Sequence, residues 1–186
     1  MTLAEFLAWE ERQETRWKFD GFDPEAMTGG TDGHEAVGGT PRALPHDRLR
    51  GKPCRVRGPT LKVEVAGRIR YPDAFVFRTP VPRGTTVIRE PVVIFEVLSP
   101  STSRTDRIVK PREYQATPSV QRYVILEPDS IAATVFARRG DEWTARPLIA
   151  GDTLDMPEID IALPLAGIDA EVEHTPPDVA EIPSPA

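Results

Sequence analysis

Cysteine is almost absent from this chain: Cys54 stands alone among 186 residues, so no internal disulfide can brace the fold. No run of apolar residues approaches the roughly 20 needed to cross a bilayer, which excludes a helical membrane span. The opening MTLAEFLAWEERQETR lacks the uninterrupted apolar stretch of a secretory signal. A soluble cytoplasmic protein with no membrane partner is therefore expected. Positive charge is also short, with 23 Lys and Arg against 29 Asp and Glu, and a net charge of -6 spread evenly would argue against a nucleic-acid partner.

The charge is not spread evenly. Residues 169–186 hold five acids (Asp169, Glu171, Glu173, Asp178, Glu181) and no Lys or Arg, which leaves 24 acidic against 23 basic residues over 1–168. This end is proline-rich and aperiodic, the composition of a disordered tail, and the length of the remainder suits one domain. Within that body, HDRLRGKPCRVRGPTLKVEVAGRIR (46–70) carries eight Lys or Arg and two acids. A phosphate backbone could use such a patch. The competing reading is a solvated face whose basic groups pair with acids elsewhere.

Thr2 followed by Glu5 is a capping-box pattern ahead of Leu3, Phe6 and Leu7, and predicts a helix over about 3–13. RWKFDGFDPEAM suggests a short strand and turn, and Gly38, Gly39, Pro41 and Pro45 interrupt a helical register between His34 and Arg50. LKVEV alternates, with Leu61, Val63 and Val65 on one face and Lys62 and Glu64 on the other, as in a half-buried strand. GRIRYPDAFVF places Asp73 at the mouth of a strand, and the proline-rich 78–91 segment reads as an exposed loop. A helix near 103–116 leads into the apolar strand RYVILE, and strand, helix, strand implies a parallel, right-handed crossover. IAATVFARRGDEWTARPLI reads as a hairpin turning at Arg139 to Asp141. The sum is an α/β fold, a central mixed β-sheet flanked by helices.

One carboxylate stands in the most apolar of these strands. In VVIFEVL (92–98), Ile94, Glu96 and Leu98 share a face while Val93, Phe95 and Val97 share the other. An ionised carboxylate taken out of water without a partner is costly enough to neutralise or to find a cation. If the strands of Asp73 and Glu96 are neighbours, both carboxylates converge near the strand ends as a hard oxygen site suited to Mg2+ or Mn2+.

RYPDAFV, PVVIFEVLSPSTSRTDRIVKPREY and RYVILEPD, with EFLAWEERQETRW, AMTGGT and MPEIDIALPL, are similar in order and spacing to the Uma family of putative restriction endonucleases, members of the PD-(D/E)XK nuclease superfamily. The resemblance covers about 2–168. It implies a restriction-endonuclease-like fold and a metal-dependent phosphodiesterase acting on DNA, with Asp73 and Glu96 as metal ligands, and it allows a homodimer, the form in which many nucleases of this fold cut both strands. The superfamily lysine would stand at position 98, where this chain has Leu98. Asp106, Lys110 and Glu113 fall on one helix face beside Tyr114, so Lys110 is the first candidate to replace it and Lys62 the second. His34 keeps its place after GGT and could orient a phosphate or water. Where relatives read tyrosine-glutamate, this chain has Trp17 and Lys18, and Pro111 should kink the helix bearing Lys110. A fold that binds nucleic acid without cutting it, and an interaction protein with a structural carboxylate pair, stay open beside the enzyme.

Overall fold

The computed structural model describes residues 1–27, 39, 45–46, 48–99 and 105–168. Helix α1 (Leu3–Glu10) begins on the predicted capping box: Thr2 Oγ1 accepts from the Glu5 amide, and Glu5 Oε2 accepts from the Thr2 amide. Strands β1 (Trp17–Phe19) and β2 (Pro24–Ala26) form a hairpin. Asp20 Oδ1 takes the amides of Phe22 and Asp23, and Gly21 supplies the positive φ of 102° in the turn between them.

The strands β3 (Arg55–Arg57), β4 (Lys62–Val65), β5 (Arg68–Arg70), β6 (Ala74–Phe77), β7 (Val87–Ile88), β8 (Pro91–Val97), β9 (Arg122–Leu126), β10 (Ala132–Arg139) and β11 (Glu142–Ile149) complete two main sheets. The central sheet is mixed and six-stranded, in the order β11-β10-β9-β8-β6-β3. Its β8 and β9 are parallel, as the crossover predicted, and β10 and β11 meet in the expected hairpin, with Arg139 opposite Glu142. A second sheet, β2-β1-β5-β4-β7, was not anticipated as a separate layer. Its β7 lies within the segment expected to be loop. A short antiparallel pair, β12 (Thr153–Met156) and β13 (Ile161–Pro164), and helix α3 (Leu165–Ile168) close one side of the core.

The two faces of β8 enter different cores, which is the period-two expectation made concrete. Val93, Phe95 and Val97 pack with Ala74, Val76, Val124 and Leu163. Ile94 and Leu98 pack instead with Phe75, Phe77, Tyr114, Tyr123, Val63 and Val65. Glu96 belongs to the second face. A third cluster, Phe6, Phe19, Ile69 and Tyr71, lies where α1 covers the far side of the second sheet, with Phe6 stacked on Phe19 at 4.8 Å.

The helix expected over 103–116 is two pieces. Residues Thr105–Val109 form a π-helical turn, and α2 (Lys110–Gln115) follows it. Pro111 therefore does not kink an α-helix: it stands in the first turn of α2, where an amide would have no intrahelical partner. The 169–186 segment, and most of the interrupted helical register from His34 to Arg50, lie outside the described residues. Among the described residues no helix is long and apolar enough to cross a membrane.

Candidate active site

Asp73 and Glu96 are brought together by the pairing of β6 with β8. These strands are antiparallel with Ala74 opposite Phe95, so the register continued by one residue sets Asp73 opposite Glu96. The strands are tied there by a side chain, for Asp73 Oδ2 accepts from the Val97 amide at 2.7 Å. Glu96 is 4% exposed and Asp73 only partly covered, so the pair opens to solvent on the Asp73 side.

The cation that Glu96 requires comes from α2. Lys110 Nζ lies 2.8 Å from Glu96 Oε1, and the Tyr114 hydroxyl donates to the same oxygen at 2.8 Å. Residues four apart on a helix present neighbouring side chains, which is why one helix can supply both donors. Lys110 is 6% exposed, so reading it as an ordinary surface lysine is ruled out. Glu113, on the same face, makes a two-pronged pair with Arg70: Nε donates to Oε2 at 2.8 Å and Nη2 to Oε1 at 2.7 Å. Arg68 adds a contact to Glu113 at 3.1 Å, and Arg70 also donates to the Phe19 carbonyl. Burial works against the Arg70 charge, but its hydrogen bonds to Glu113 and the fields of Glu113, Tyr114 and Glu96 outweigh it, raising its pKa. The side chain of Asp106 lies outside the described residues, as does His34.

Lys62 does not join this group. Its ammonium pairs with Glu10 of α1, whose Oε1 accepts from the Tyr71 hydroxyl at 2.9 Å. Val63 and Val65 face the Glu96 side, so Lys62 faces the other way, into the layer beneath α1. The expectation of a half-buried β4 is corrected with it: Lys62 is 8% exposed, because α1 covers the row that alternation marked as polar. Leu98, at the superfamily lysine position, is core.

Arg70 and Glu10 went unnoticed in the sequence. Glu10 sits four residues after Phe6 and seven after Leu3, on the apolar stripe of α1, which is a signal that it is buried. Arg70 was one basic residue among eight. Lys18 sits beside it in the second sheet: Phe19 pairs with Ile69, so Lys18 falls opposite Arg70 and on its face.

Burial, then the charge of Glu96, hold the Tyr114 hydroxyl well above its ordinary pKa, and burial with the Glu10 hydrogen bond does the same for Tyr71. Both folded values lie above the unfolded one, so the native state favours the neutral phenols; this contribution is full below the unfolded pKa and is lost as pH rises through the folded values. The urea midpoint should hold up to about pH 10 and fall above it. Tyrosinate absorbance rising near pH 10 while the protein stays folded would contradict this.

The crossover-linked mixed sheet, with Asp73 and Glu96 on adjacent strands, has the restriction-endonuclease-like α/β fold. A crystal structure of a putative nuclease belonging to DUF820 from Anabaena variabilis has a TM-score of 0.72 at 17% identity, over 91% of this chain and 98% of that one. The chain belongs to the Uma2 family, described as putative restriction endonuclease, whose model matches residues 3–166. It is also 32% identical over 168 residues to an uncharacterized protein of Synechocystis sp., covering 87% of each chain.

Proposed function

We propose that this protein is a divalent-metal-dependent endonuclease acting on DNA, with Asp73 and Glu96 as metal ligands and Lys110 as the catalytic lysine. The observation that carries the reading is the buried contact of Lys110 Nζ with Glu96 Oε1 at 2.8 Å. It sets a cation against the ligand carboxylate from α2, although β8 has no lysine at position 98. Two carboxylates on one sheet face are a hard oxygen donor set and fit Mg2+ or Mn2+. When bound, such an ion would polarise the scissile phosphate and acidify the attacking water. Lys110 would neutralise charge developing on the phosphoryl oxygens, and Tyr114 would hold the Glu96 carboxylate in place. Among the described residues no group of three or more His, Cys, Asp or Glu comes together.

That shortage, with Lys18 beside Arg70, favours a second reading: a nuclease fold that binds DNA and cuts it poorly. A cation on the site's face favours ionised carboxylates without any metal and so competes with the ion. One experiment addresses both readings. Millimolar Mn2+ should raise the melting temperature of wild type, because a ligand held only by the native state stabilises it. Asp73→Asn should abolish the rise, and Lys18→Glu should enlarge both the rise and plasmid nicking. No shift in wild type would remove the metal site; strong wild-type nicking unchanged by Lys18→Glu would remove the weakened-enzyme reading.

A further inference from the structure

The basic stretch 46–70 divides in the folded protein. Lys62, Arg68 and Arg70 turn inward onto Glu10 and Glu113 and are unavailable to a partner. The basic residues before them are arranged differently. His46, Arg50, Lys52, Arg55 and Arg57, with Leu49, Cys54 and Val56, line a groove of about 280 Å³ along the edge strand β3, and among the described residues no acidic one lines it. Lys52 is held by Asp160 at 2.6 Å. Arg55 and Arg57 are exposed, and each guanidinium is braced by main-chain carbonyls: Arg55 by those of Lys52 and Cys54, Arg57 by that of Val56. Neither has a carboxylate partner among the described residues. A larger cavity of about 420 Å³ beside β9, β10 and β11 mixes its arginines with Asp155 and Glu158, and Arg122 there is already paired with Glu158.

We propose that the β3 edge, through Arg55 and Arg57, binds backbone phosphates of the DNA presented to the Asp73–Glu96 site. Val56 points into the other core, so Arg55 and Arg57 lie on the face that carries Glu96. Arg57 confirms the side, with its guanidinium 6.0 Å from the centre of the Phe77 ring. The order β3-β6-β8 puts this edge two strands from Glu96, and Arg57 and Arg55, opposite Phe75 and Phe77, stand two and four residues along from the Asp73–Glu96 level, which sets their backbones about 12 and about 16 Å from it at ordinary strand geometry. DNA rises about 3.4 Å per nucleotide, so that span corresponds to roughly three to five nucleotides from the scissile phosphate. Carbonyl bracing restricts each guanidinium through its Nη1 alone, which leaves the Nε and Nη2 hydrogens for phosphate oxygens. Such contacts set the register of the duplex and carry no base information.

The inference rests on the nuclease reading for its substrate, and its test is run in EDTA so that cleavage plays no part. Fluorescence anisotropy of a short labelled duplex is followed against salt for wild type, Arg55→Gln/Arg57→Gln and Arg55→Lys/Arg57→Lys, with melting curves checking each fold. Each lost phosphate contact flattens the slope of log affinity against log salt by about 0.9, so the glutamine pair should lose about 2, equally for unrelated sequences. The lysine pair should keep the wild-type slope, since a point charge suffices for counterion release. An unchanged slope in the glutamine pair, absence of wild-type binding, or equal competition by polyglutamate would overturn the proposal. Absence of nicking in Mn2+ with the arginine dependence intact would sink the nuclease reading and leave this surface standing.

Discussion

Glu113→Ala is expected to destabilise the protein by about 3–5 kcal/mol, because it strands a buried guanidinium that cannot shed its proton. Arg70 is 5% exposed and loses both hydrogen bonds of its paired fork, and among the described residues no other carboxylate pairs with it. For a chain of this size that loss corresponds to a fall in melting temperature on the order of 10 °C. The pair need not be a net source of stability, however. Arg70→Met/Glu113→Leu removes both charges and both desolvation costs, and should recover most of the loss. Urea denaturation of the single and double variants decides it: a single-variant loss under about 1 kcal/mol would mean that solvent reaches Arg70 and already compensates.

Lys110→Met is expected to move two measurements in opposite directions. Removing one charge-stabilising donor from such a site lowers turnover by about 10²–10³. Removing the cation on Glu96 Oε1 also frees the carboxylate from its competitor, so the rise in melting temperature with Mn2+ should grow. A lysine that only neutralised Glu96 for the sake of folding would give the second effect without the first. Methionine keeps the buried stem, so lost packing does not masquerade as lost chemistry. Nicking of supercoiled plasmid at saturating Mn2+ supplies the rate, and an unchanged rate would leave Lys110 a structural residue.

Much of this arrangement was legible in short-range patterns. Thr2 and Glu5 marked the start of α1 because capping is satisfied within one helical turn. The two faces of VVIFEVL were legible because strand geometry alternates whatever surrounds it. The neighbouring strands of Asp73 and Glu96 followed from chain connectivity, and the shared face of Lys110, Glu113 and Tyr114 from helical spacing. Pro111 was misjudged because the helix had been assumed continuous; with a π-helical turn before it, the proline falls in a first turn.

Which cation meets Glu96 was decided by the tertiary structure alone. Lys62 and Lys110 were both plausible, since periodicity says which way a side chain points and not what lies there. The row of Lys62 points at α1 and finds Glu10, more than fifty residues away in sequence; the row of Lys110 points at β8 and finds Glu96. The same holds for the basic stretch, whose last three members turn inward while Arg55 and Arg57 stay at an exposed edge. Local sequence determines turns, caps and faces because those energies are settled within a few residues. The pairing of buried charges depends on layers stacked from distant segments, and only their packing decides it.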